Sequence, residues 1–151
     1  MKLIVDWDSY NTAVEQLVER LRLACITPGA VMGIPRGGLV AAVMLSHRLS
    51  IPLVPFRKDL VNPDVLLVDD ICDTGGTLSK IVTPQEDNPN VRPLAVGVVV
   101  CKPKGYFYLD SLQHGVRPIP TFFGMAAATE YWVVFPYEDM ETEGAPNGTV
   151  A

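Results

Sequence analysis

The sequence predicts an α/β domain in which helices cover both faces of a mostly parallel β-sheet. Segments with helical spacing alternate along the chain with short runs of apolar residues. These runs are unbroken, which is typical of strands that are buried on both faces. One of them, residues 65–68, leads into a glycine-rich turn that opens a short helix. The 151 residues, 48% of them hydrophobic, suffice for one domain with a sizeable core.

Three helices are predicted from the spacing of apolar side chains and from their ends. The first covers residues 9–25, where apolar side chains recur at intervals of three and four, and Asp8 or Ser9 is expected to cap it. The second covers residues 39–49 and is rich in small side chains. The third is short and covers residues 77–82.

Strands are predicted at residues 30–34, 53–56, 65–68, 94–101 and 131–135. Residues 107–129 fit no single pattern. In open parallel sheets, ligands bind beyond the carboxyl ends of the strands. The loops at residues 35–38, 69–77 and 102–105 are therefore expected to share one edge of the sheet.

Composition excludes several classes of protein. The net charge is −5 and no basic run is present, which argues against a nucleic-acid partner. No apolar run has the roughly 18–20 residues of a membrane span. The N-terminus reaches Asp6 too early for a signal peptide. Three cysteines without metal-site spacing read as reduced thiols, so a cytoplasmic location is expected.

The C-terminal residues 139–151 differ in composition from the rest of the chain. They contain acidic residues, Gly, Pro and Asn, and almost nothing that a core would bury. We therefore expect a folded domain at residues 1–138 and an acidic disordered tail behind it.

The stretch VLLVDDICDTGGT, residues 65–77, is the most informative in the chain. A buried strand runs into Asp69 and Asp70, and Asp73 follows. The turn after them consists of Thr74, Gly75, Gly76 and Thr77. Glycines and hydroxyls at a helix start suit a phosphate group, and carboxylates suit ribose hydroxyls or a Mg²⁺ ion that travels with phosphate. A plain strand-to-helix turn would explain the glycines but not the carboxylates.

This stretch resembles the phosphoribosyl pyrophosphate (PRPP) signature of type I phosphoribosyltransferases, whose fold is Rossmann-like. The sequence GIPRGG, residues 33–38, resembles the pyrophosphate loop of that family. The resemblance implies that Arg36 and Gly37 bind pyrophosphate and places a non-proline cis peptide at the Arg36–Gly37 bond. A guanidinium suits a diphosphate, although a glycine turn with a solvated Arg36 is the alternative.

Lys102 and the sequence YWVVFPYE, residues 131–138, resemble the 6-oxopurine (xanthine-guanine and hypoxanthine-guanine) branch of this family. The resemblance implies that Lys102 donates to the purine O6, that Trp132 stacks on the base, and that the carbonyl near Val133 reads the exocyclic group. An ammonium group favours a carbonyl oxygen over the amino group of adenine. The alternatives are a solvated lysine at a strand end and a core tryptophan.

The implied reaction is purine salvage, in which a purine base and PRPP give a nucleoside 5′-monophosphate and pyrophosphate. Guanine, xanthine and hypoxanthine are the candidate bases, and Mg²⁺ is the implied cofactor. Asp73 is expected to be the general base for the purine N7 proton. Asp69 and Asp70 would hold the ribose hydroxyls and the metal, and residues 74–77 the 5′-phosphate. The resemblance also suggests a homo-oligomer, a dimer or tetramer.

The sequence departs from the family in one loop, and this departure leaves more than one function open. The long flexible hood loop that closes over the site in this family is reduced here to residues 57–64. A cover normally protects the reactive sugar from water. The long stretch between Lys102 and Trp132, which contains five aromatic residues from Tyr106 to Phe123, supplies either a lid or additional core. The protein is therefore an active transferase, a PRPP- or nucleotide-binding regulator with little turnover, or a transferase that acts on a base other than a purine.

Overall fold

The computed structural model describes residues 1–84, 86, 89, 91–106 and 119–138. In chain order the elements are β1 (Lys2–Ile4), α1 (Trp7–Leu23), β2 (Ala30–Gly33), α2 (Gly37–Leu49), β3 (Leu53–Val54), a 3₁₀ turn (Lys58–Leu60), β4 (Val65–Cys72), α3 (Gly76–Val82), β5 (Ala95–Cys101), β6 (Thr121–Ala126) and β7 (Trp132–Val134). The tail at residues 139–151 and the ambiguous residues 107–118 lie outside the described residues.

Five strands form a parallel sheet in the order β3-β2-β4-β5-β6. The predicted α/β architecture is therefore confirmed. Its two longest strands, β4 and β5, lie at the centre, and every side chain of β5 is buried. A separate two-stranded parallel sheet joins β1 to β7, with Lys2 opposite Trp132 and Ile4 opposite Val134.

The two faces of the five-stranded sheet carry two hydrophobic clusters. On one face, α1 and α2 pack over Leu66 and Val68 of β4. On the other face, α3 and the 55–64 connection pack over Val65 and Leu67. Alternation along the strand thus places Asp70 on the α1–α2 side and Asp69 on the α3 side. No helix among the described residues is both long and apolar enough to span a bilayer.

The first helix begins earlier than its sequence pattern predicts. Asp6, and neither Asp8 nor Ser9, is the N-cap, and its carboxylate accepts a hydrogen bond of 2.8 Å from the Ser9 backbone N–H. The cap residue bonds to the amide three positions ahead, so the Asp6–Ser9 pair fixes the start at Trp7. The helix also ends at Leu23, two residues before its predicted end.

Strand β4 is longer than predicted and carries both acidic residues within it. The prediction ended this strand at Val68, but ladder pairing with β5 continues through Asp69 and on to Cys72. Backbone hydrogen bonds to β5 hold these carboxylates in the sheet. Two strands were not predicted: β1, which has only three residues, and β6, which lies in the ambiguous region. Strands β3 and β7 are shorter than predicted.

We expect Gly124→Ala to destabilise the protein, because β6 lies directly against the backbone of α1. A Cβ at residue 124 would lie 2.2 Å from the carbonyl oxygen of Ala13. Overpacking of this kind costs about 1–3 kcal/mol. Urea unfolding monitored by circular dichroism measures the change in the free energy of unfolding. Gly76→Ala is the matched control, since its nearest contact would be Thr74 Oγ1 at 3.4 Å. An equal loss in both variants would contradict the packing argument.

Candidate functional site

Three loops meet at the carboxyl edge of the central strands, as predicted. The N-terminus of α2 lies against Asp70, since a Cβ at Gly37 would be 1.8 Å from its Oδ2. The carboxylate of Asp73, after β4, lies 3.2 Å from the ammonium of Lys102, after β5. Gly105 packs on the carbonyl of Asp73, where a Cβ would be 2.7 Å from that oxygen.

The loop between β2 and α2 is short and tightly packed. Arg36 is exposed and already has helical backbone angles at the position before α2. A Cβ at Gly38 would lie 2.6 Å from the carbonyl oxygen of Val68, so glycine allows the helix to begin directly on β4. The arrangement leaves the guanidinium free to reach a ligand at the sheet edge.

A non-proline cis peptide is present in this loop, but one bond earlier than predicted. It joins Pro35 to Arg36, so the placement at Arg36–Gly37 is wrong. Because Arg36 is helical in conformation and α2 begins at Gly37, the reversal between strand and helix falls before Arg36.

The turn at residues 74–77 has the backbone geometry of an anion cradle. Gly75 adopts a φ of 82°, in the left-handed region that favours glycine, and precedes α3. The Gly76 N–H donates to Thr74 Oγ1 over 3.3 Å. Thr74 and Thr77 are exposed. Hydroxyl groups and the start of a helix therefore face solvent together, as a phosphate group requires.

Asp69 and Asp70 have very different surroundings. Asp69 is only 8% exposed, and its Oδ1 accepts a hydrogen bond of 2.9 Å from the Asp70 N–H. Burial, reinforced by the charge of Asp70, raises the pKa of Asp69 well above its ordinary value. Asp70 accepts from the Ile71 N–H at Oδ1 and from the Tyr137 hydroxyl at Oδ2, over 2.8 and 2.9 Å.

These two carboxylates fit a Mg²⁺ ion that arrives with its substrate better than a resident one. Within the described ranges, no group of three or more His, Cys, Asp or Glu side chains is arranged to hold a metal. Mg²⁺ commonly binds to one or two carboxylates and takes its remaining ligands from substrate phosphates and water. The donor set of Asp69 and Asp70 is of that kind.

The ion pair between Asp73 and Lys102 is the most unusual feature of the site. Lys102 is 5% exposed, whereas lysines are almost never buried unless they are paired. Its backbone N–H donates to the Cys72 carbonyl over 2.9 Å, which fixes it at the end of β5. The side chain of Asp73 is 43% exposed. The pair therefore presents a cation and an anion side by side at the edge of the sheet.

Two of the predicted base-binding residues, Trp132 and Val133, lie on β7, in the two-stranded sheet. Trp132 is 43% exposed, which disfavours the alternative of a core tryptophan, and its backbone N–H donates to the Met1 carbonyl over 2.9 Å. The side chain of Val133 is buried. The hydrogen bond that ties this segment to the acidic motif comes from Tyr137. Sequence reasoning assigned no role to Tyr137, and the one feature that pointed to this residue was the aromatic run FPYE.

The connection at residues 55–64 is too short to form a hood over the site. Its side chains pack on the α3 face of the sheet. Phe56, Leu60 and Val61 pack into the cluster on the α3 face. The carbonyl and carboxylate of Asp64 accept hydrogen bonds from the Gly29 N–H, at the start of β2. The segment therefore runs from the end of β3 to the amino edge of the sheet, opposite the three loops.

We expect Asp69→Asn to stabilise the protein at neutral pH, because the buried carboxylate is costly there. An acid whose pKa is raised on folding lowers the free energy of unfolding as pH rises above its unfolded-state value. The gain over wild type should be about 0.5–2 kcal/mol at pH 7. It should shrink toward pH 4, where the wild-type carboxyl holds its proton. Urea titrations at both pH values test this, and a gain independent of pH would contradict it.

The structure of the chain is similar to those of several known proteins, although the chain matches no family model. A purine phosphoribosyltransferase from Pyrococcus horikoshii Ot3 is 26% identical, with a TM-score of 0.64 over 95% of this chain and 99% of that one. A hypothetical protein from Neisseria gonorrhoeae with bound ppGpp is 21% identical, with a TM-score of 0.68 over 93% and 92%.

The third similarity is to the orotate phosphoribosyltransferase from Aeropyrum pernix. That protein is 30% identical, with a TM-score of 0.57 over 80% of this chain and 72% of its own. The chain belongs to the type I phosphoribosyltransferase family.

Proposed function

We propose that the protein transfers the phosphoribosyl group of PRPP to a 6-oxopurine base and releases pyrophosphate. The Asp73–Lys102 ion pair carries this proposal. A 6-oxopurine presents O6 and N7 next to each other on one edge. An ammonium 3.2 Å from a carboxylate can donate to O6 while the carboxylate accepts the N7 proton. Adenine presents an amino donor to the same ammonium, which is unfavourable.

The other residues at this edge of the sheet would each bind a different part of PRPP. The turn at residues 74–77 would bind the 5′-phosphate, and Asp69 and Asp70 the ribose hydroxyls. Arg36 and the backbone at Gly37 would bind the pyrophosphate. Mg²⁺, when bound with PRPP, would neutralise the charge of the leaving pyrophosphate. Asp73 would take the N7 proton as the purine attacks ribose C1.

Replacing Asp73 by Asn tests the general base. The amide keeps an oxygen for Lys102 but accepts a proton poorly, so kcat should fall by roughly 10²–10⁴. PRPP binding, measured by calorimetry, should be retained. A near-normal kcat would exclude this role for Asp73.

Replacing Lys102 by Met tests the recognition of O6, because Met fills much of the same buried volume without the ammonium. The KM for guanine should rise far more than the KM for PRPP, by roughly 10-fold or more for a lost charged hydrogen bond. Lys104→Met is the matched control, since Lys104 is an exposed lysine of the same loop. Equal losses for both substrates would indicate a folding defect instead.

A second candidate is a regulator that binds PRPP or a purine nucleotide without turning it over. The absence of a hood in the 55–64 connection and the Neisseria structure with bound ppGpp favour this candidate. Incubation with Mg²⁺, PRPP and each of guanine, xanthine, hypoxanthine and adenine distinguishes the two. Nucleotide formed from the 6-oxo bases but not from adenine supports the transferase. Binding of PRPP or ppGpp without product supports the regulator.

A further inference from the structure

The hydrogen bond from the Tyr137 hydroxyl to Asp70 joins two parts of the chain that are distant in sequence. Tyr137 follows β7, and Asp70 lies in β4. The bond is 2.9 Å long and partly buried. A hydrogen bond to a charged acceptor is stronger than one between neutral groups.

Three elements converge on the Asp70 carboxylate. Its Oδ1 accepts from the Ile71 N–H and its Oδ2 from Tyr137. The backbone of Gly37, at the start of α2, lies so close that a Cβ there would be 1.8 Å from Oδ2. The carboxylate therefore has one orientation, against the loop that follows β2.

Tyr137 itself is rigidly held. Its ring stacks on Phe135, with centroids 5.5 Å apart and planes at 2°, and meets Tyr10 edge-on at 5.9 Å. The turn that carries it is closed by two hydrogen bonds between Phe135 and Glu138. A phenol keeps its proton at neutral pH, so the hydroxyl remains a hydrogen-bond donor. The hydroxyl is thus a fixed donor.

We propose that Tyr137 is a positioning residue for PRPP binding, which fixes the Asp70 carboxylate in the orientation that receives the ribose hydroxyls. This inference rests on the proposed function, where Asp70 binds ribose. A carboxylate has about four lone-pair sites, so sites remain after the bonds to Ile71 and Tyr137. Holding a side chain in its bound rotamer before the ligand arrives reduces the entropic cost of binding.

A purely structural role for the same bond predicts different behaviour. In that case the bond only docks the C-terminal turn on the sheet, and its loss lowers stability without changing ligand affinity. PRPP affinity and thermal stability must therefore be measured on the same variants.

The test uses Tyr137→Phe, which keeps the stacked ring and removes the hydroxyl. The Kd of Mg²⁺–PRPP by calorimetry and the KM for PRPP should both rise about 10-fold, as expected for a lost charged hydrogen bond. Because the interaction concerns binding and not the chemical step, kcat should change far less.

Tyr10→Phe is the matched control. The Tyr10 hydroxyl is buried and has no hydrogen-bond partner among the described residues. The Tyr137 hydroxyl directs its hydrogen to Asp70 and not to Tyr10. Tyr10→Phe removes a hydroxyl from the same aromatic cluster and should leave the Kd for PRPP unchanged.

A double substitution completes the test. In an Asp70→Ala background, Tyr137→Phe should cause no further loss of PRPP affinity, because the hydroxyl then has no carboxylate to orient. A Tyr137→Phe variant with wild-type affinity, or with a lowered Tm and unchanged affinity, would overturn the positioning role alone. Wild-type protein that binds no PRPP would overturn the proposed function and this inference with it.

Discussion

The close approach of α2 to the sheet is the constraint on which the rest of the site depends. A Cβ at Gly33 would lie 2.7 Å from the Gly38 carbonyl, and one at Gly38 would lie 2.6 Å from the Val68 carbonyl. Glycines at these positions let the helix begin directly over β2 and β4. Without that approach the loop after β2 would stand away from Asp70, and the basic and acidic groups would not share one edge.

The same edge concentrates charge where burial makes charge costly. Asp69 and Lys102 are both nearly buried, next to Asp70 and Asp73 respectively. Apolar residues would fill the same places more favourably. The charged groups at this edge therefore lower the stability of the protein, while the buried strands behind the edge supply the stabilising apolar contacts.

The architecture was predictable because the parallel strands are long and apolar, and the phosphate turn follows one of them. The short elements were not predictable from the sequence. Strand β1 has three residues and gains its pairing only from β7, at the other end of the described chain. Asp6 was missed as the cap because Asp8 and Ser9 are equally good cap residues. The grouping of residues 69–77 at one edge of the sheet was predictable because these residues are close in sequence. The Asp73–Lys102 and Asp70–Tyr137 contacts join separate strands, so only the fold could establish them.

The pairing of β1 with β7 also affects the order in which the parts of the protein fold. Lys2 pairs with Trp132 and Ile4 with Val134. Strand β1 therefore has no pairing partner until β7 has been made. Contacts between residues this distant in sequence form late in folding, because the entropy lost in closing the long loop precedes the stabilisation that the contacts provide. The exposed Trp132 and the Tyr137 turn belong to that late segment. During synthesis, β2, β4 and β5 are therefore available to pair before β7 is made, and β1 gains its partner only afterwards.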